Sequence, residues 1–245
     1  MLIVLDAVKT IPYLETFGET TCIRQVFKFY YYSPKKRREV NAVSEILDEN
    51  PAHFSSNIKK TRWLSSRRRA LAAMEKNLAV TVTHLEQVSS GKGEDATKAK
   101  GILKQITTGK FARFLYFMLD VTAVLKEPSE SFQRADLFIT DVARKLDTAS
   151  ANLELLKNDK PPTELSNFQT KFKSSYDEEK KILLNGKNNS QEVSLKDNSQ
   201  STDLRELFSR LSTDTINYLE KRFASLSSPP LSDFPCSKRR KSWLW

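Results

Sequence analysis

The stretch "KKTRWLSSRRRA", residues 59–70, sets Trp63 among Lys59, Lys60, Arg62, Arg67, Arg68 and Arg69, with no acid to balance them. An indole in such company can stack on an unpaired base while its neighbours hold phosphates, and stacking of this kind is worth about 1–3 kcal/mol per base. The alternative is packing: Trp63 would lie under the entrance of a helix beginning at Leu64, with the cations solvated around it. The residues alone leave both readings open.

Two further basic runs have a chemistry of their own. "SPKKRREV" (33–40) carries Lys35, Lys36, Arg37 and Arg38, and the tail "CSKRRKSWLW" carries Lys238, Arg239, Arg240 and Lys241. A short cationic run can fill an acidic groove of the nuclear-import machinery. For the first run the competing reading is the opening turn of a helix with an exposed cationic face.

Catalytic groups are sparse. His53 and His84 are far apart, and Cys22 and Cys236 show no Cys-x-x-Cys spacing, so no metal site is expected. His84 reads as a surface or half-buried histidine, and Asp177-Glu178-Glu179 as a solvated helix face. No glycine-rich phosphate loop or nucleophile elbow is present. The expectation is a protein that is not an enzyme, with no cofactor and no small-molecule substrate.

Charge points to the class of partner. The chain of 245 residues has a net charge of +10, and the surplus is uneven. Residues 1–110 hold 19 Lys and Arg against 11 Asp and Glu, whereas residues 111–234 hold 17 against 19. The field of the first half therefore attracts phosphate backbones or acidic proteins. The opening "MLIVLDAVK" is too short for a signal peptide or membrane span, and the two distant cysteines suit a reducing compartment. A soluble, intracellular chain is expected.

Helical spacing must position these groups. Apolar residues recur from Ile11 to Tyr32, ending in Phe27, Phe29, Tyr30, Tyr31 and Tyr32. Ser33-Pro34 predicts an N-cap with proline at the first helical position, followed by Val40, Val43, Ile46 and Leu47 on one face. Leu64 to Val88 reads as one long helix through Leu71, Met74, Leu78, Val82 and Leu85. A turn at 89–94 and a short helix from Ala96 to Ile106 follow. Phe111, Phe114, Leu115, Met118, Val121 and Leu125 mark the most central helix, and Asp136 to Leu156 repeats the pattern. Pro161-Pro162 precedes a helix suggested by Leu165, Phe168, Phe172 and Tyr176. With only 6 glycines and no alternating strand pattern, the fold class is all-α, an elongated multi-helix bundle. One domain is expected over 1–184, with a disordered polar loop at 185–202, a last helix at 203–226 and a disordered basic tail at 227–245.

The motifs "IPYLETF" (11–17), "YYSPKKRREV" (31–40), "TRWLSSRRRA" (61–70), "YFMLDVTAVL" (116–125) and "SFQRADLFI" (131–139), in this order, resemble the hAT superfamily of transposases. The likeness runs from about residue 6 to residue 224 and is nearest to the vertebrate domesticated zinc-finger and SUMO-ligase-like group. It implies that the chain matches the helical insertion of an RNase H-like enzyme. It also implies that Arg62-Trp63 corresponds to the family's Arg-Trp pair, whose tryptophan helps hold a DNA end near a flipped base.

The sequence departs from the family's pattern at both ends. Aligned on the resemblance, it is expected to start past the Cys-x-x-His motif, both catalytic aspartates and the family's zinc-finger part, and to stop before the final glutamate and the dimerisation segment. The resulting expectation is a catalytically inactive, nuclear, transposase-derived protein that binds DNA or another acidic partner through its basic first half. The rival is a protein-interaction or homo-oligomerisation module using the Ile11–Tyr32 face, and a gene fragment without a function is the third reading. No membrane association is expected.

Overall fold

The computed structural model describes residues 22–47, 63–131, 139–158, 164–167, 181–185, 190–194 and 201–224. In chain order the elements are α1 (Cys22–Tyr31), α2 (Pro34–Ile46), α3 (Trp63–Lys76), α4 (Leu78–Ser89), α5 (Glu94–Ile106), α6 (Gly109–Ser131), α7 (Ile139–Lys157), β1 (Lys181–Asn185), β2 (Ser190–Ser194) and α8 (Ser201–Phe223). Among the described residues this is an all-α multi-helix bundle to which one antiparallel pair of strands, β1 and β2, is added.

Local chemistry sets several of the boundaries. Ser33 caps α2, its Oγ accepting the Lys36 N–H at 3.3 Å, and Pro34 needs no partner at the first position. Between α4 and α5 the chain turns at Gly93, whose φ of 104° would strain any side-chain-bearing residue. Glu94 and Asp95 then open α5 with negative charge against the positive end of the helix.

The core forms around α6, as the apolar spacing predicts. Phe111, Phe114, Leu115, Phe117, Met118, Val121 and Leu125 are all buried. Around it pack α3, α5, α7 and α8. From α8, Phe208 stacks on Phe117 with centroids 4.0 Å apart and planes 12° from parallel. Each fully buried side chain of this size stabilises the fold by about 1.5–3 kcal/mol. From α7, Val142, Leu146, Ala149 and Leu153 complete this interior on the expected three-four spacing.

One carboxylate is built into the core. Asp120 of α6 is 2% exposed and accepts the backbone N–H groups of Glu164 and Leu165, at 3.2 and 3.0 Å. These donors begin the helical turn at 164–167 and would otherwise be orphaned, so a side chain 45 residues away caps it. Burial raises the Asp120 carboxyl to about 6, against the opposing pull of the two N–H groups and of Arg68.

The structure corrects several expectations. The helix predicted from Leu64 to Val88 is two, α3 and α4, meeting at buried Asn77. Hydrogen bonds of helical spacing continue through Asn77, from its N–H to Ala73 and from Thr81 to its carbonyl, but its φ of −92° and ψ of 3° leave the helical well. Ile46 is 77% exposed, so the α2 apolar face ends at Val43 and half-buried Leu47. The segment expected to be a disordered loop at 185–202 instead contains β2, paired with β1 in the register Ile182 to Val193, and the first residues of α8. The tail at 227–245 and the helix expected through Phe168, Phe172 and Tyr176 lie outside the described residues, apart from the turn at 164–167.

Candidate nucleic-acid interface

The first helical pair divides sharply by face. In α1 the residues Cys22, Ile23, Val26, Phe29 and Tyr30 are buried, on the spacing of one helical stripe. Arg24, Lys28, Tyr31 and Tyr32 are exposed opposite them, three to four residues apart, with Tyr32 72% exposed. The rings touch: Phe27 and Tyr31 centroids are 4.7 Å apart, and Tyr31 meets Tyr32 edge-on at 5.1 Å. No acid lies in α1. The helix thus presents cations interleaved with aromatic faces.

After Ser33 the basic run of α2 separates in the same way. Lys35, Arg37 and Arg38 are exposed, and Lys35 pairs with Glu39 one turn on, at 3.8 Å. Lys36 turns inward. Its ammonium lies 2.7 Å from Asp95 of α5 and 3.9 Å from the Phe29 ring centroid, tying three helices together. Of the four import-candidate cations in this run, three face solvent and one is structural. Lys238, Arg239, Arg240 and Lys241 lie outside the described residues.

A buried polar relay fixes this face from beneath. Tyr30 Oη is 3.1 Å from His84 Nδ1, and His84 Nε2 is 3.3 Å from Glu39 Oε2. A carboxylate can only accept, so Nε2 carries the proton, Nδ1 accepts, and the Tyr30 hydroxyl donates. Burial lowers the His84 pKa, partly offset by Glu39. The relay resembles a nucleophile–base–acid line, but Tyr30 is fully buried and burial pushes its ionisation far upward. Its role is to lock α1, α2 and α4. His84, expected to be at the surface or half-buried, is therefore a buried structural residue.

The segment 59–70 meets a mixed outcome. Lys59, Lys60 and Arg62 lie outside the described residues, as does the side chain of Trp63, which opens α3. The three consecutive arginines part company because successive helical positions turn by about 100°. Arg67 shares the inward stripe with Leu64, Leu71 and Met74 and is 3% exposed. It is not available as a phosphate contact, contrary to expectation. Arg68 is half-buried, its charge felt at Asp120, and Arg69 is exposed.

The surface expected for a protein-interaction module is the Ile11–Tyr32 face. Residues 11–21 of the Ile11–Tyr32 face lie outside the described residues, and the apolar stripe of 22–31 is already covered by α2, α3 and α5. Reading the sequence for charge runs missed Arg24 and Lys28. The signal was there, in two cations four residues apart opposite an apolar stripe.

The Cys22 thiol, the one cysteine among the described residues, is quiet. Burial pushes the Cys22 thiol up to about 12, so it is a poor nucleophile. Among the described residues no group of three or more His, Cys, Asp or Glu side chains could hold a metal ion. No helix of the described residues is long and apolar enough to cross a membrane. No family model matches the chain, and no solved structure matches it.

Proposed function

We propose that this chain descends from a hAT-superfamily transposase and binds nucleic acid without cutting it, in the nucleus, through the outward face of α1 and α2. The observation that carries the proposal is the exposed set Arg24, Lys28, Tyr31, Tyr32, Arg37 and Arg38. Cations at these positions hold phosphates, and exposed rings beside them stack on unpaired bases irrespective of sequence. The segment from Lys59 to Trp63, with Arg69, supplies a second contact in this proposal, on the strength of the resemblance of Arg62-Trp63 to the family's DNA-holding pair.

Fluorescence anisotropy on single-stranded and hairpin DNA tests it. Tyr32→Ala is expected to weaken binding by about 5- to 150-fold, the equivalent of one lost stacking contact. Trp63→Ala is expected to do the same. Binding unchanged by both substitutions would overturn the proposal. A salt-insensitive oligomer that ignores DNA would transfer the function to protein association.

A further inference from the structure

We infer that Ser33 is a phosphorylation site for a proline-directed kinase, and that the phosphate it receives weakens the hold of the α1–α2 face on nucleic acid. The second clause rests on the function proposed above. The first stands without it.

The sequence around the acceptor reads Ser33-Pro34-Lys35-Lys36. A kinase that selects proline after the acceptor asks for a residue with no amide hydrogen to satisfy, and a cation three places on can meet acid on the enzyme. The only other serine before a proline, Ser228, is followed at that distance by Leu231. The structure leaves the motif approachable. Ser33 has an extended backbone, φ −123° and ψ 100°, and Pro34 and Lys35 are exposed. Its Oγ acts in the cap as an acceptor, at 3.3 Å. For the kinase to reach it, Lys36, whose side chain is 14% exposed, must leave both Asp95 and the Phe29 ring; the Asp95 carboxylate is 60% exposed, so the ion pair opens at modest cost.

The reaction takes a nucleoside triphosphate as donor. Ser33 Oγ forms a bond to the γ-phosphorus, the bond from that phosphorus to the β,γ-bridging oxygen breaks, and the nucleoside diphosphate departs. The hydroxyl proton passes to the general base of the kinase. The product carries a charge of about −1.5 to −2 with three strong acceptor oxygens. These oxygens can still accept the first-turn N–H groups, now with a full negative charge against the positive helix end. The same charge faces Lys35, Arg37 and Arg38. Residues 22–47 hold six cations against Glu39 and Glu45, so one phosphate removes close to half of their surplus.

The test treats the full chain with a proline-directed kinase and ATP, maps the phosphate by mass spectrometry, and titrates both forms against an oligothymidine strand. The expected result is one phosphate at Ser33, none there in Ser33→Ala, and a higher Tm from the strengthened cap. Affinity should fall about tenfold, with the salt slope shallower by about 1. Absence of phosphate at Ser33 overturns the inference. So does a phosphorylated chain that binds the strand as tightly as the unmodified one. If the unmodified chain does not bind the strand at all, the proposed function fails instead, and phosphate at Ser33 with a raised Tm still upholds the modification site.

Discussion

The ammonium of Lys36 lies 2.7 Å from the carboxylate of Asp95, joining the first turn of α2 to the first turn of α5 across 59 residues of sequence. Because the same ammonium covers the Phe29 ring, one lysine of a four-cation run holds the scaffold while its neighbours remain outside. The Lys36 ammonium also holds the Asp95 carboxyl below the usual carboxylate range. Lys36→Ala is therefore expected to cost about 1 kcal/mol of stability, from an exposed ion pair and a cation–π contact. Thermal unfolding measures this as a fall in Tm of a few degrees. DNA affinity should change far less than it does in Arg38→Ala.

Arg67 and Arg69 differ by two positions and should differ in kind. Arg67→Ala removes a buried side chain from the α3 stripe and is expected to destabilise the fold by about 2 kcal/mol or more. The folded fraction should bind DNA within twofold of the parent. Arg69→Ala should leave the Tm within a degree or two and weaken DNA binding. Denaturant unfolding beside anisotropy separates the two effects.

His84 makes the fold sensitive to mild acid. Its folded pKa is lowered by burial, so above the unfolded value near 6.5 both states are neutral and its contribution is complete. Below that value the unfolded state binds the proton more readily, and stability falls as the pH falls towards the folded pKa. His84→Gln is expected to lower stability at pH 7 and to remove this loss below pH 6.5. Urea midpoints across that range check the slope.

Asp120 acts with the opposite sign. Its folded pKa, raised to about 6, means that the folded state takes up the proton first, so its favourable contribution is full below about pH 4 and fades as the pH rises through 6. The span corresponds to about 3 kcal/mol. Below about pH 6 the two therefore act with opposite signs in the parent protein. Asp120→Asn should unmask the acid sensitivity of His84, and His84→Gln should unmask a gain in stability on acidification. A parent and two variants with the same pH profile would contradict both assignments.

The architecture was legible where burial enforces period. The stripe from Phe111 to Leu125 identified the central helix, and Ser33-Pro34 fixed the start of α2, because a cap and a ring-locked φ leave little choice. The break at Asn77 was hidden because the apolar spacing from Leu71 to Leu85 keeps time through it. Arg67 was misread for a related reason. A run of three arginines suggests solvent, yet a helix turns its members to different sides, and the one in step with Leu64 and Leu71 goes inward. The proposed contact face on α1 is not legible in the sequence because Arg24 and Lys28 form no run. Their meaning depends on which face the core takes, and α2, α3 and α5 decide that by packing against α1.

The most direct test of the α1–α2 face is the salt dependence of binding to an oligothymidine strand, for the parent chain and for the Arg24, Lys28, Arg37 and Arg38 alanine variants. The four phosphate contacts of this face predict a contribution of about −3 to the slope of log affinity against log salt, and the slope becomes shallower by about 0.7 with each of these cations removed. A slope near zero, or one that none of the four substitutions changes, would contradict the account.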